Sequence, residues 1–259
     1  MGKMFIFGMG YTAGRVADML RGRGWDVRGT GRGGNCDFGD DEQVRCALGE
    51  ASHVLSSVPP DESGGDPVLA TYGDLVVAGT RWLGYLSSTG VYGDTGGAWV
   101  DETAPTGTGR RSARTEADAA WLATGARVFR LPGIYGPGRS ALDRVRTGRA
   151  HRIDLPDQVF SRIHVDDIAT GVLTGFDGPP GAYNLADDLP CSQNAVIEEA
   201  CRLLRLPPPP LQTMEEAELS PMARGFYTEN RRVANGKARR ILGWQPRYPT
   251  YREGLAALV

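Results

Sequence analysis

Gly8, Gly10 and Ala13 stand in the run Phe7-Gly8-Met9-Gly10-Tyr11-Thr12-Ala13-Gly14, between an apolar stretch of strand length and a helix-like one. The spacing Gly-x-Gly-x-x-Ala fits the fingerprint of a dinucleotide-binding turn. Gly8 permits the tight turn, and Gly10 lets the backbone approach a pyrophosphate with no Cβ in the way. Ala13 or Gly14 lets the helix pack closely on its strand. Tyr11 and Thr12 complete the turn, and the unpaired N–H groups of the helix start offer the positive end of its dipole to the phosphates. In a chain with 36 glycines a plain structural turn is the other reading.

The next chemistry-bearing stretch follows the second strand. NAD-specific sites place an Asp or Glu there to bind the ribose 2′-hydroxyl. Between Val27 and Gly34 the chain has no acid, and Arg28, Thr30 and Arg32 occupy the region. An arginine pairs with a 2′-phosphate that a carboxylate would repel, so the stretch favours NADP over NAD, with Arg32 as the phosphate ligand. The alternative is that these arginines only solvate a loop. Asp37 and Phe38 are placed to flank the adenine or to form a surface turn. Val58, just before Pro59-Pro60, joins the cofactor set at the end of a third strand.

These residues need a scaffold that brings strand ends together. Lys3–Phe7 reads as a strand, Gly14–Arg23 as a helix, Trp25–Thr30 and His53–Val58 as strands, and Leu69–Gly79 as a helix. Trp82–Ser87 reads as a strand, Ser112–Thr124 as a helix and Arg127–Leu131 as a strand. Such alternation predicts an α/β fold, a Rossmann-type doubly wound parallel sheet. After Tyr135 the pattern loosens. Ser192–Leu204 reads as an amphipathic helix ended by Pro207–Pro210, and Asn235–Leu242 as a last helix stopped by Gly243. The 259 residues suit one domain, with residues of about 136–160 and 186–259 expected to form a small substrate-side lobe.

Composition narrows the partners. A formal net charge of −2 and a pI near 6.0 give no general pull toward nucleic acid or an anionic membrane surface. No stretch reaches the roughly 18 apolar residues that span a bilayer, and the N-terminus lacks a signal peptide's apolar core. Cys36, Cys46, Cys191 and Cys201 have no CxxC spacing, which suits buried free thiols in a reducing compartment. A cytoplasmic protein is expected, with no metal site. Among 29 basic residues only Lys3 and Lys237 are lysines.

Five further segments carry a resemblance. Leu86-Ser87-Ser88-Thr89-Gly90-Val91-Tyr92-Gly93 resembles the SSxxVYG motif of extended short-chain dehydrogenases/reductases, the NAD(P)-dependent epimerase/dehydratase family. Arg130 to Arg139 looks like the family's YGP segment, and Phe160 to Ala169 like its IHVDD segment. Tyr183-Asn184-Leu185-Ala186 and Leu242-Gly243-Trp244 match two later ones. In the family a Tyr-x-x-x-Lys pair follows on the next helix, the Tyr as acid/base and the Lys lowering its pKa. Here Arg110 takes the Tyr position, Arg114 the Lys position and Asp118 a family acidic position. There is no Tyr between Gly93 and Ile134 and no Lys between residues 4 and 236. Arginine stays protonated and cannot act as the base.

The resemblance puts Ser88 at the catalytic serine, and Tyr92 is the other catalytic candidate, with Tyr135 beside it. Arg114 is assigned to the cofactor's ribose or phosphate, and Arg139, Arg110 and His164 to the substrate. For Arg110 and Arg139 a solvated position is equally open, for Ser88 a strand-end cap, and for His164 a structural hydrogen bond. Asp166 and Asp167 are expected to cap the following helix. The family's habit implies a homodimer through the helices near residues 69–80 and 112–124. Two functions stand: an NADP-dependent oxidoreductase or epimerase on a small polar or nucleotide-linked substrate with a rearranged proton relay, or a non-catalytic NADP(H)-binding sensor or regulatory protein.

Overall fold

Along β1 (Lys3–Phe7) Met4 and Ile6 enter one hydrophobic cluster while Phe5 and Phe7 enter another. A strand buried on both faces belongs inside a parallel sheet. The computed structural model, which describes residues 2–61, 64–78, 81–107 and 112–259, places it there. From β1 the chain runs through α1 (Tyr11–Arg21), β2 (Asp26–Gly29), α2 (Asp41–Glu50), β3 (His53–Ser56), α3 (Pro67–Val77) and β4 (Trp82–Ser88). A 3-10 turn over Thr89–Tyr92 and β5 (Trp99–Val100) lead to α4 (Ser112–Ala123), β6 (Arg127–Leu131), β7 (Gly133–Tyr135) and α5 (Ala141–Arg146). Then follow β8 (Arg152–Ile153), β9 (Arg162–His164), α6 (Val165–Thr174), β10 (Gly181–Asn184) and α7 (Gln193–Leu204). The chain closes with β11 (Leu211–Gln212), α8 (Pro221–Phe226), β12 (Arg232–Val233), α9 (Gly236–Leu242) and α10 (Tyr251–Ala256).

The main sheet holds six parallel strands in the order β10-β6-β4-β3-β1-β2. The winding reverses between β1 and β3, and ligands of such sheets bind in the crevice at that switch, outside the carboxyl ends of the strands. One face is covered by α1 and α6 through Val16, Ala17, Leu20, Ile168 and Val172. The other is covered by α2, α3 and α4 through Val44, Leu48, Val68, Val76 and Trp121. Trp121 stacks on Tyr85 of β4 at 5.3 Å, and its indole N–H donates to Asp66 at 2.7 Å, the acid that caps α3. A third cluster joins Tyr135, Leu142, Val196, Ile197, Tyr251 and Leu255, so that α5, α7 and α10 build a side lobe. Ala238 and Trp244 return to the core under the sheet. The chain after residue 186 is therefore shared between sheet core and lobe.

Beneath the crevice runs a chain of buried polar groups. Asp118 of α4 accepts from Arg130 Nη2 at 2.7 Å and Nε at 3.1 Å, and from Ser87 Oγ at 2.6 Å. Arg130 Nη1 donates to the Tyr92 hydroxyl at 3.0 Å, which donates to Asn184 Oδ1 at 2.8 Å. Asp118 and Arg130 are 2% and 4% exposed. Burial opposes the arginine's charge, yet its bonds to Asp118 outweigh that and raise its pKa. The network ties α4 to β4, β6 and β10 at once. Removing one partner of a buried pair leaves an uncompensated charge and costs about 3–5 kcal/mol. Asp118→Ala is expected to lower the unfolding free energy by that amount in a urea titration, and a loss below about 1 kcal/mol, the worth of an exposed pair, would contradict the reading.

Asp187, just after β10, is 2% exposed. One carboxylate oxygen accepts from Leu189 N at 3.2 Å, and the other has no partner among the described residues. Burial pushes its pKa up to about 7, with Arg162 opposing. The folded state thus holds this proton more tightly than the unfolded chain, and stability is lost as pH rises through the folded value. Relative to wild type, Asp187→Asn is expected to gain stability progressively between pH 5 and 7 and to level off above, read from unfolding midpoints at each pH. A difference that does not change with pH would contradict this.

Candidate functional site

The turn after β1 is set by close packing. Gly8 has φ of 78°, and a Cβ there would lie 2.9 Å from the Val58 side chain beyond β3. Its N–H donates to Thr30 Oγ1 at 3.2 Å and the next N–H to Thr30 O at 2.7 Å, so the end of β2 holds the turn. Gly10 is the extended N-cap of α1, with no side-chain cap and no acid in the first turn. The helix start therefore faces the crevice with uncapped N–H groups and no Cβ above them, a cradle that fits a phosphate. Gly31, at φ 94°, presses against Met9 N, where a Cβ would come within 2.9 Å, and Gly33 N donates to Met9 O at 2.9 Å. This lays the 31–34 loop along the turn with Arg32 exposed. Asp37 accepts from Gly39 N at 2.9 Å, while Phe38 packs edge-on to Phe7 and Tyr72 at the rim of the core.

Tyr11 spans two loops. Its hydroxyl donates to Pro137 O at 3.1 Å and the Arg139 guanidinium lies 5.7 Å from its ring centroid, which joins the glycine turn to the Gly136-Pro137-Gly138 turn. Beyond it opens a cavity of about 920 Å³. It runs from Thr12 and Ser57 past Ser88 and Arg114 to Arg139, Arg144, Arg162 and Tyr227. Ser88, at the end of β4, accepts from Gly90 N at 3.1 Å. It therefore caps the Thr89–Tyr92 turn that follows the strand.

Of the residues singled out from the sequence, Thr12, Ser88, Arg114 and Arg139 line this cavity together, and Gly8, Gly10, Ala13, Arg32 and Val58 gather at its glycine-turn end. Arg110 lies outside the described residues. Two further candidates are buried away from the cavity surface. Tyr92, a catalytic candidate, is 2% exposed and occupied by Arg130 and Asn184 below the cavity. Burial raises its pKa, with Arg130 opposing, so it has no route to a ligand. His164, assigned to substrate, is 1% exposed and lies between the rings of Tyr135 and Tyr248 at 5.2 and 4.3 Å. Burial lowers its pKa, with Asp166 opposing, and its Nδ1 accepts from Asp166 N at 3.2 Å.

His164 is thus the cap of α6, the role expected of Asp166 and Asp167. Asp166 instead pairs with Arg15 of α1 at 2.6 Å, and Asp167 accepts from Arg247 N at 2.6 Å and Tyr248 N at 3.1 Å. Sequence reasoning missed one whole wall. Leu219, Ala223, Phe226, Tyr227, Glu229 and Arg231 come from the segment around α8. Glu229 pairs with Arg231 at 2.8 Å, and Arg231 donates to Gly93 O at 2.6 Å beside the Thr89–Tyr92 turn. A six-residue helix shows no periodicity to find. The one signal was the run of arginines after the YGP turn, at 139, 144, 146 and 149. Among the described residues, no group of three or more His, Cys, Asp or Glu could hold a metal ion, and no helix is long and apolar enough to cross a membrane.

The chemistry available is a serine hydroxyl, several arginine guanidinium groups and the titratable side chains of Tyr135, Asp143, His151, Tyr227, Glu229 and Tyr251. No family model matches the chain. A functionally unknown conserved protein from Silicibacter pomeroyi DSS is 44% identical over 100% of this chain and 98% of its own, with a TM-score of 0.88. The 3-diazoavenalumate denitrifying reductase of a Streptomyces species is 33% identical over 140 residues, a match spanning 49% of this chain and 45% of that reductase. At 15% identity, human epimerase family protein SDR39U1, solved with NADPH, superposes with a TM-score of 0.78 over 99% of this chain and 98% of its own. The dTDP-glucose 4,6-dehydratase of Bacillus anthracis str. Ames, solved with NAD, does so at 0.76 and 15% identity, over 100% and 95%. The chain belongs to one family with the Silicibacter pomeroyi protein, and its fold is that of the NAD(P)-dependent epimerase/dehydratase proteins.

Proposed function

We propose that this chain binds NADP(H) in the β1–β3 crevice and acts, as an oxidoreductase or epimerase-type enzyme, on a small polar or nucleotide-linked substrate in the adjoining cavity. The observation that carries the reading is the uncapped, acid-free start of α1 at Gly10, held open by Gly8 under Val58. Similarity to the fold of SDR39U1, which was solved with NADPH, supports it. A bound nicotinamide supplies or accepts a hydride. The chain's residues do the rest. Backbone N–H groups of Tyr11 and Thr12 would hold the pyrophosphate, Arg32 the 2′-phosphate, and Arg114 on α4 the ribose hydroxyls. Ser88 would donate its proton to a substrate oxygen, a bond that strengthens as charge develops there.

The proton relay differs from the family's. Arg114 orients but never deprotonates, so any proton that moves does so through Ser88 and the titratable groups that line the cavity. The cofactor NAD stays as the alternative, as in the dehydratase of the same fold. A second reading, a non-catalytic NADP(H) sensor, is favoured by the absence of Tyr and Lys from α4. Free cysteines at all four positions suit the cytoplasm.

Titration of tryptophan fluorescence with NADPH and NADH tests cofactor binding, and a panel of sugar nucleotides and hydroxy acids followed at the nicotinamide absorbance tests turnover. Tight NADPH binding with no turnover across the panel would favour the sensor. Arg32→Ala is expected to weaken NADPH by about tenfold or more, the loss of a charge-assisted bond, with little change for NADH. An equal effect on both coenzymes would remove the 2′-phosphate assignment.

A further inference from the structure

Tyr11 begins α1, directly after the Gly10 cap, yet its side chain reaches a distant part of the chain. Its hydroxyl donates to Pro137 O at 3.1 Å, and the Arg139 guanidinium lies 5.7 Å from its ring centroid. Gly136 makes room for this contact. A Cβ there would come within 2.7 Å of the Tyr11 hydroxyl and 2.6 Å of Val165 Cγ1. The turn that receives the ring is closed on itself, with Arg139 N donating to Gly136 O at 3.0 Å and Gly136 N to Arg139 O at 3.3 Å. It therefore moves as one piece. Pro137 stiffens its centre, and Gly136 and Gly138 flank it as the small residues that absorb a rotation.

The tie joins two lips of one opening. Thr12 lines the cavity from α1, and Gly138 and Arg139 line it from the turn. The helix side is anchored, since Val16, Ala17 and Leu20 lie in the core and Arg15 pairs with Asp166 of α6 at 2.6 Å. The turn is the side able to swing. Tyr11 is 37% exposed, so water competes for its bond to Pro137. A neutral hydrogen bond of this kind shifts an equilibrium by a factor of about two to ten. An exposed cation–π contact adds about two- to fivefold. Such a tie holds the lips together most of the time and still opens readily, unlike the buried Asp118–Arg130 pair.

We propose that Tyr11 and the 136–139 turn form a strap across the mouth of the cofactor crevice, which parts for NADP(H) to enter or leave and closes by remaking the Tyr11–Pro137 bond. The proposal rests on reading that crevice as the cofactor site. The discriminating variant is Tyr11→Phe, which keeps the ring beside Arg139 and removes only the hydroxyl. A strap closed alike in the free and the bound protein slows entry and exit by the same factor and leaves affinity in place. Stopped-flow tryptophan fluorescence with NADPH reads both rates.

The expected result in Tyr11→Phe is a rise of about two- to tenfold in both the association and the dissociation rate constant, with Kd changed by less than either. Gly136→Ala, whose methyl group displaces the Tyr11 hydroxyl, should move both rates the same way, with circular dichroism to confirm folding. Hydrogen exchange read by mass spectrometry on the cofactor-free protein is the second measurement. The peptide containing Gly136 to Ser140 should exchange faster in Tyr11→Phe than in wild type. Faster exchange in a protein that ignores NADPH would uphold the strap while the cofactor reading fails. Unchanged exchange, or unchanged rates in a protein that binds NADPH, would overturn the strap. So would faster dissociation with association unaltered, the mark of a hydroxyl that touches the cofactor itself.

Discussion

The buried pair between Asp118 and Arg130 is the constraint on which the site depends. An ion pair taken out of water gains net free energy only where further hydrogen bonds satisfy its remaining lone pairs and protons. Here Ser87 supplies one to the carboxylate, and the Tyr92 hydroxyl accepts one from the guanidinium. Those partners decide the geometry above. Asp118 fixes the rotation of α4, and Arg114, one turn earlier on the same side of the helix, thereby reaches the cavity. Ser87 is held below by Asp118, while Ser88 beside it caps the turn and lines the cavity. A helix that carries no acid/base pair of its own is still locked against the strand as firmly as if it did.

That lock separates two jobs which the tyrosine and lysine of the related fold combine. Positioning is retained, since α4 still presents a cation beside the serine. Proton exchange is not, because a guanidinium does not titrate in the working range. Any titratable group must enter from elsewhere, and the structure offers it from the opposite wall. Burial raises the Tyr227 pKa, with Arg144 and Arg162 opposing. Glu229 is held by Arg231, which in turn hangs from Gly93 O at the end of the serine turn.

Much of the scaffold was legible because long parallel strands announce themselves. The spans 3–7, 53–56, 82–88 and 127–131 lie in apolar runs, and their alternation with helices marks a parallel sheet. α1 begins at Tyr11 and not Gly14 because Gly10 is the extended cap. The sixth strand, β10, was illegible: Gly181-Ala182-Tyr183-Asn184 is four residues long and draws its strand conformation from pairing with β6. α2 hides for another reason, since only Val44, Ala47 and Leu48 of its ten residues are buried. Within the site, the glycine turn, Ser88, Arg114 and Arg139 were readable from spacing or resemblance. The burial of Tyr92 and His164 was not readable, because a motif gives residue type and order, while burial depends on neighbours such as Asn184 and Tyr248 that lie far along the chain.

The near absence of lysine has a consequence for how the cavity responds to its surroundings. Every cation lining it is an arginine, so its positive charge does not vary across physiological pH. A lysine in the place of Arg144, pressed by Arg162 and Arg139, would shed its proton under the same desolvation that an arginine withstands. The positive charge of the lining is thereby fixed, and pH acts only through the few groups that titrate. Of the three histidines, His53 and His164 are half-buried or buried, and burial lowers the pKa of both. His151 alone lines the cavity, held to Gln212 at 3.3 Å between β8 and β11. The charge of the cavity thus rests on its arginines, while its response to pH rests on other residues.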